Sequence, residues 1–299
     1  MLEPFRELLS QVAPDATLLS VEPLVGGISA TMSVVTFLDR EGSLARCVAR
    51  EPGHWQDADS VAQEFSVIAA LATGGLPVPR PFGLATTASG RPVMFLEYVE
   101  GRPELAPKDP EYFVDQFADQ LAEIHAFDYR QLPYEERATT DSPVPKAWQG
   151  PNHALREPEV RAALDRWDHE RDRNAPVLRH GDFWPGNLLW RDAKIAAVID
   201  WEEWQVAEPL YDLAICRLDL AWILGWEAAE RFTNRYLRRR PISTDALPKW
   251  DLCAALRPMS NMDEWAQAYP ALGRPDLTLP KMEKVHQAFV DQALRALSR

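Results

Sequence analysis

Cysteine is rare in this sequence, and lysine is missing from its first third. The 299 residues include three cysteines (Cys47, Cys216 and Cys253), which lie far apart in apolar surroundings and match no metal-binding spacing. An odd number of scattered cysteines argues against a disulfide framework and is typical of a reducing, cytoplasmic environment. The first lysine is Lys108. Any cation that binds phosphate in the first third is therefore expected to be an arginine.

The sequence also lacks long apolar runs and an excess of positive charge. No run of apolar residues approaches the length of a membrane span, and the N-terminal segment lacks the hydrophobic core of a signal peptide. Lysine and arginine number 32 against 45 aspartates and glutamates, a net charge of −13. Such acidity disfavours nucleic acid and anionic membranes as partners. We therefore expect a cytoplasmic protein with neither kind of partner.

Two polar segments stand next to apolar strands in the middle of the chain. The first is His-Gly-Asp-Phe-Trp-Pro-Gly-Asn-Leu-Leu-Trp (180–190), and the second is Val-Ile-Asp-Trp (198–201). Only residues 191–194 separate the two strands, which predicts a hairpin. The hairpin would bring Asn187 close to Asp200, with Asp182 at the mouth of the same cleft. An amide and a carboxylate that share a divalent cation, beside a second carboxylate, suit phosphoryl transfer.

The segment 180–190 resembles the catalytic loop of the protein-kinase fold, and Asp200 resembles its metal-binding aspartate. The version His-Gly-Asp-x-x-Pro-Gly-Asn-x-Leu, followed by Ile-Asp-Trp-Glu, resembles the aminoglycoside phosphotransferase family more closely. The resemblance implies that Asp182 is the catalytic base, that Asn187 and Asp200 bind Mg²⁺, and that ATP or GTP is the phosphoryl donor. The alternative is that Asp182 and Asn187 only cap a turn and that Asp200 only ends a strand.

The N-terminal strands contain the expected nucleotide contacts. Glycines and a serine in the first turn (Gly26, Gly27 and Ser29) let backbone amides approach a phosphate, although a Gly-Gly turn is often only a hairpin. The strand from Leu44 to Glu51 includes Cys-Val-Ala-Arg, which resembles the Val-Ala-Ile-Lys strand of kinases with Arg50 in place of lysine. Val48 would then pack on adenine and Arg50 would reach phosphate, with Arg46 as a less well-placed competitor.

A helix predicted from Asp59 to Thr73 carries Glu64, which the resemblance pairs with Arg50. An exposed helix glutamate is the alternative. The segment 97–101 is the expected hinge, where the backbones of Glu97 and Val99 would bind adenine. Residues 102–110 contain three prolines and are interpreted as a linker between lobes.

The remainder of the chain is predicted to be mainly helical, with helices at 110–127 and 157–172. Asp212 follows Pro209 at a helix start, where it either binds helix amides or, as the resemblance implies, supports the catalytic loop. Residues 256–269 mix methionines and aromatics with Asp263 and Glu264. This mixture fits either a pocket for an organic cation or a half-buried helix.

We therefore predict an α+β fold of the two-lobed protein-kinase type. Its nucleotide-binding lobe (1–96) contains a small antiparallel sheet, and the hinge (97–101) leads to a helical catalytic and substrate lobe (102–299). The predicted function is ATP- or GTP-dependent and Mg²⁺-dependent phosphorylation of a hydroxyl on a small molecule, either an antibiotic such as an aminoglycoside or macrolide, or a metabolite. Two alternatives are a kinase-shaped nucleotide-binding regulator without turnover and a protein kinase.

Overall fold

A computed structural model describes residues 2–24, 30–53, 56–133, 144–147, 150–165, 167 and 174–298. Contacts within the chain divide it into two compact units. Unit 1 consists of Met1–Gly101, Arg130–Glu135 and Ala196–Glu202, and unit 2 consists of Arg102–Tyr129, Glu136–Ile195 and Glu203–Arg299. None of the described helices is long and apolar enough to cross a membrane.

Unit 1 is built on an antiparallel sheet of five strands. The strands are β1 (Thr17–Pro23), β2 (Ala30–Leu38), β3 (Leu44–Pro52), β4 (Pro81–Thr86) and β5 (Pro92–Glu97), in the order β1-β2-β3-β5-β4. The β2–β3 turn is formed by polar residues and a glycine. The Asp39 carboxylate accepts hydrogen bonds from the backbone N–H groups of Glu41 and Ser43, and Gly42 has φ +76°. Glycine occupies that left-handed conformation without strain, so the turn sets the register of β3.

Two helices complete unit 1. Helix α1 (Leu2–Val12) packs Leu8 and Leu9 onto apolar side chains of β2–β5, among which Val35, Cys47 and Phe95 are buried. Helix α2 (Ala58–Thr73) has Asp57 as its N-cap, whose carboxylate accepts the N–H of Ser60, and Gly74 as its C-cap. The capped start and buried apolar face hold α2 in place, so Glu64 is buried rather than exposed to solvent.

Unit 2 is mainly helical, and its longest buried helix is rich in apolar residues on all sides. The helices are α3 (Pro110–Ala126), α4 (Glu157–Leu164), α5 (Leu210–Ile223), α6 (Trp226–Arg239), α7 (Leu247–Ala255), α8 (Met262–Ala268) and α9 (Leu279–Leu297). Every residue of α5 except Tyr211 is buried, because helices α6, α7 and α9 pack around it. A helix that is apolar all round is stable only in such a core.

Two short strand pairs flank the loop from His180 to Asn187, which we call the central loop. Strand β6 (Val177–Arg179) pairs with β9 (Gln205–Ala207), and β7 (Leu188–Arg191) pairs with β8 (Lys194–Val198). The second pair is the predicted hairpin. Its two-residue turn has Asp192 at φ +51° and Ala193 at φ +57°, the backbone of a type I′ turn.

Two details differ from the expectations. Helix α4 ends at Leu164, whereas the sequence predicted a helix to residue 172; residues 168–173 lie outside the described part. Trp167, which was expected on that helix, is not helical. Strands β6 and β9 were not predicted, because three-residue strands are too short to show an alternating pattern.

Candidate active site

The loop from His180 to Asn187 connects β6 to β7 and is fixed by a glycine. Gly181 has φ +90°, and a Cβ atom at this position would lie 2.2 Å from the carbonyl oxygen of Glu203. No other residue can therefore occupy position 181 without moving the backbone. His180 is buried, and its Nδ1 accepts the backbone N–H of Asp182 at 3.2 Å. His180 thus orients the loop from the inside.

Asp212, in the first turn of α5, holds the other side of this loop. Its carboxylate accepts the backbone N–H of His180 at 2.7 Å and that of Gly181 at 3.0 Å. His125 Nε2 lies 3.2 Å from the same carboxylate, and Tyr236 Oη lies 2.7 Å from His125 Nδ1. Burial alone would raise the pKa of Asp212, but the hydrogen bond from His125 and nearby positive charge hold that pKa below its usual value. Asp212 is therefore an ionised buried support of the loop.

Asp182 and Asn187 are joined by hydrogen bonds within the loop. Asn187 Nδ2 donates to the backbone oxygen of Asp182 at 2.9 Å and to its Oδ2 at 3.0 Å. Asn187 is buried, whereas the Asp182 side chain is 28% exposed. A carboxylate that is fixed in direction yet open to solvent can receive a proton from a bound hydroxyl.

Arg257, which the sequence analysis did not identify, binds the same carboxylate. It follows α7 and donates a hydrogen bond from one guanidinium N–H to Asp182 Oδ1. Its second terminal nitrogen lies 3.9 Å from Oδ2 of Asp219, a buried residue of α5. Burial raises the pKa of Asp219 to about 7, although Arg257 acts in the opposite direction. Unit 2 thus places a cation between the predicted base and a second carboxyl group.

A cavity of about 500 Å³ lies beside Arg257 within unit 2. The described lining consists of Pro145, Lys146, Gly150, Asn152, Glu157, Arg161, Leu256, Arg257, Met259, Ser260, Asn261 and Trp265. From the predicted cation pocket at 256–269, Met259 and Trp265 are present in this lining. Asp263 and Glu264 are exposed and absent from it, while Met262 and Tyr269 are buried in the core. The cavity is thus lined by part of the segment 256–269, without its two acids.

In unit 1, Arg50 on β3 lies among three carboxylates. Its guanidinium donates to Glu64 at 3.0 Å and to Glu202 at 2.8 Å, and it lies 3.6 Å from Asp200. Burial alone would lower the pKa of Arg50, but the three carboxylates raise it. Burial raises the pKa of Glu64. The Arg50–Glu64 ion pair expected from the resemblance exists, and the contact with Glu202 is an addition that the sequence did not indicate.

Asp200 is the second residue after β8 and has a left-handed backbone, with φ +66°. Aspartate tolerates this conformation better than most residues with a Cβ atom. Its side chain is 30% exposed, so the carboxylate reaches solvent while remaining within Coulombic range of Arg50. Left-handed residues other than glycine are more frequent at functional sites than elsewhere, so the backbone of Asp200 is compatible with the predicted role.

The other predicted nucleotide contacts are distributed over unit 1. Val48 is half-buried on β3 opposite Leu96 of β5, Glu97 ends β5, and Val99 follows it. Gly26, Gly27 and Ser29 lie outside the described residues. Arg46, the competitor of Arg50, forms an exposed ion pair with Glu100 at 2.8 Å and stacks over the Tyr98 ring.

The oxygen ligands expected for Mg²⁺ are suited to that ion. Among the described residues, no group of three or more histidine, cysteine, aspartate or glutamate side chains could hold a metal alone. Because Asn187 Nδ2 is occupied by Asp182, its Oδ1 is the amide atom left to bind a cation. Magnesium accepts amide and carboxylate oxygens and is usually bound by one or two protein carboxylates plus substrate phosphates. Asn187 and Asp200 each fit this donor type.

Comparisons with known proteins give a family for the chain and neighbours for its fold. The model of the phosphotransferase enzyme family matches residues 20–255. Among solved structures, the GDP and kanamycin complex of APH(2")-IIia has a TM-score of 0.58 at 18% identity, over 98% of this chain and 97% of that chain. Aminoglycoside phosphotransferase APH(3'')-Id from Streptomyces rimosus has a TM-score of 0.59 at 20% identity, over 87% and 98%. The predicted α+β protein-kinase-like fold is confirmed.

Curated relatives of the chain have a different name. Acyl-CoA dehydrogenase family member 11 from Rattus norvegicus is 27% identical over 262 residues, which is 74% of this chain and 33% of that protein. The Homo sapiens protein of the same name is 26% identical over 235 residues, or 67% and 30%. The chain thus spans about a third of the length of the curated relatives it matches.

Proposed function

The chain belongs to the phosphotransferase enzyme family, and we propose that it transfers the γ-phosphoryl group of ATP or GTP to a hydroxyl group of a small molecule. The observation that carries this proposal is Asp182. Its carboxylate is held by Asn187 and Arg257 on a loop that Asp212 fixes from below, and it still reaches solvent. A turn that served only structure would not need this set of supports around a half-exposed acid.

In the proposed reaction, the acceptor hydroxyl oxygen forms a bond to the γ-phosphorus as its proton passes to Asp182. The bond between the γ-phosphorus and the β–γ bridging oxygen breaks, and the nucleoside diphosphate leaves with that oxygen. Mg²⁺, when bound by Asn187 and Asp200, would neutralise phosphate charge. Asp212 and His180 act only by fixing the loop, since both are buried.

The proposed nucleotide contacts belong to unit 1. Arg50 would bind phosphate oxygens, since its guanidinium is the buried cation on β3 and can make two parallel hydrogen bonds to an oxyanion. Glu64 would keep it in position. The turn residues Gly26, Gly27 and Ser29, the side chain of Val48, and the backbones of Glu97 and Val99 complete the proposal. We also propose that the nucleotide-binding lobe ends at residue 96 and the hinge at residue 101.

The names of similar proteins guide this proposal. The neighbours include complexes with GDP and kanamycin and with AMP-PNP and hygromycin B, which support a nucleotide and a small acceptor. The dehydrogenase names of the curated relatives do not carry over, because this chain spans about a third of their length and most of it matches the phosphotransferase model. Three buried free cysteines support a reducing compartment, and we propose the cytoplasm.

The test is a panel of hydroxyl compounds, both metabolites and antibiotics, incubated with Mg²⁺ and either ATP or GTP, with nucleoside diphosphate release as the readout. The variant Asp182→Asn should keep nucleotide affinity and lose turnover by roughly 10²–10⁴, the usual effect of removing a general base. Asp245→Asn, at an exposed position, is the matched control. A nucleotide-binding regulator would show no transfer with any acceptor, and a protein kinase would phosphorylate only polypeptides. A near-wild-type kcat of Asp182→Asn would remove Asp182 from the role of base.

A further inference from the structure

The cavity beside Arg257 is surrounded by more cations than anions. Its described lining contains Lys146, Arg161 and Arg257 against a single carboxylate, Glu157. This composition is opposite to that of the whole chain, which has a net charge of −13. The local excess of positive charge therefore reflects the cavity itself rather than the average composition.

The lining charges differ in how well they are compensated. The Glu157 carboxylate is already paired, since one oxygen accepts a hydrogen bond from Arg161 Nε at 2.7 Å and the other accepts the backbone N–H of Asn152 at 2.9 Å. Arg257 is paired with Asp182 and lies near Asp219. After these pairs are set aside, one lining charge remains.

That remaining charge is Lys146. It is exposed, and it makes no ion pair or hydrogen bond to any residue in the described part of the chain. The lining also offers uncharged donors, because the Ser260 hydroxyl and the Asn261 amide make no hydrogen bond to the described residues. The Trp265 ring and Met259 supply apolar wall. A flexible ammonium beside neutral donors and an aromatic wall suits a small anionic group on an organic molecule.

We propose that this cavity binds the acceptor, and that the acceptor is a hydroxyl compound carrying an anionic group, a carboxylate or a phosphate, which Lys146 binds. This inference rests on the proposed phosphoryl transfer and narrows its substrate class. A polycationic acceptor would place like charges beside Lys146, with no unpaired carboxylate in the described lining to offset them. The volume of about 500 Å³ accommodates a molecule of metabolite or drug size. Arg257 connects the cavity to Asp182, where the hydroxyl would react.

Steady-state kinetics tests the charge preference. The acceptors are hydroxycarboxylates and sugar phosphates, their uncharged counterparts (hydroxyamides and free sugars), and kanamycin. Wild type should use an anionic acceptor in preference to its uncharged counterpart. Comparing the hydroxycarboxylates with the sugar phosphates shows whether Lys146 binds a carboxylate or a phosphate. Lys146→Glu should raise KM for the anionic acceptor by roughly 10-fold or more, with kcat changed little, because one ionic contact is worth about that factor. Lys284→Glu makes the same change in net charge at an exposed site and should behave as wild type.

Thermal unfolding with millimolar hydroxycarboxylate, sugar phosphate or kanamycin measures binding without turnover. The anion should raise Tm of wild type and Lys284→Glu but not of Lys146→Glu. Preferential use or binding of kanamycin by wild type would overturn the anionic acceptor and leave phosphoryl transfer intact. Absence of stabilisation by any anion, or equal stabilisation of Lys146→Glu, would overturn it as well. Lys146-dependent anion binding without nucleoside diphosphate release from any acceptor would instead support the anion site and count against phosphoryl transfer.

Discussion

Replacing Asp219 by asparagine should make the protein more stable at alkaline pH and leave its stability nearly unchanged at acidic pH. Asp219 lies on the buried helix α5 and is 6% exposed. Its charged neighbours are Arg257, at 3.9 Å, and, beyond it, Asp182. Burial outweighs the attraction of Arg257, and the pKa of Asp219 is raised from 3.8 to about 7. The carboxyl group is therefore protonated in the folded chain at a pH where it is ionised in the unfolded chain.

The sign and the size follow from linkage. Between about pH 4 and pH 7 the folded state binds one proton more than the unfolded state, so the free energy of unfolding falls as pH rises through this window. The contribution of Asp219 to the free energy of unfolding is fully present below its pKa in the unfolded chain and is lost above its pKa in the folded chain. A shift of about three units corresponds to about 4 kcal/mol, taken as an upper value because Arg257 also loses an ionic partner in the variant. Asparagine has no proton to lose, so Asp219→Asn avoids this cost.

The assay is urea unfolding followed by far-UV circular dichroism at about pH 5 and about pH 8. Most of the pH window in which Asp219 is protonated in the folded state but ionised in the unfolded state lies between these two values. The difference in free energy of unfolding between Asp219→Asn and wild type should increase by several kcal/mol from the lower to the higher pH. Asp245→Asn, at an exposed site, should show no such change. A variant that is less stable than wild type at the higher pH would refute the reasoning, because it would mean that Asp219 is ionised and stabilised by Arg257.

Three further predictions concern the candidate site. Asp200→Ala should remove the enhancement of nucleotide affinity by Mg²⁺, which calorimetry with and without the ion measures; an unchanged enhancement would place the metal elsewhere. Arg50→Lys should keep much of the activity, Arg50→Ala should lose orders of magnitude, and Glu64→Gln should fall in between. Arg46→Ala is the control and should behave nearly as wild type; a fully active Arg50→Ala would contradict the assignment of Arg50 as the phosphate-binding cation. Gly181→Ala should destabilise the fold by about 2 kcal/mol or more through backbone strain and the clash with residue 203, and an unchanged unfolding midpoint would argue against the described loop.

Patterns local in the sequence predicted most of unit 1 and the central loop. The expected bounds of α2 (59–73) and of β3 (44–51) agree with the structure to within one residue at each end. The Arg50–Glu64 pair could be predicted because the resemblance assigns the two residues, 14 positions apart, to a strand and a neighbouring helix. Their catalytic roles remain predictions, since geometry alone does not show what a residue does to a substrate.

Contacts between distant elements could not be predicted in this way. Arg257 and Asp182 are 75 residues apart, and His125 and Asp212 are 87 apart. No periodicity or motif within either segment encodes such a pairing; it depends on how α3, α5 and α7 pack. Arg257 had no interpretation from the sequence, and Asp212 was interpreted either as a helix-start carboxylate or, through the resemblance, as a support of the loop.

The cavity has a different charge from the segment that the sequence offered as a pocket. Residues 256–269 contain Asp263 and Glu264, and a segment with acids and aromatics favours an organic cation when it is considered in isolation. Helix α8 turns both acids outward and turns Trp265 toward the cavity, while Lys146 enters the lining from a segment more than a hundred residues earlier in the chain. The charge of a binding site is set by which faces of separate segments meet, so the net charge of one segment, or of the whole chain, is a poor guide to the acceptor. The positive charge that Lys146 brings to the lining is therefore a more direct guide to the proposed acceptor than the net charge of −13 of the whole chain.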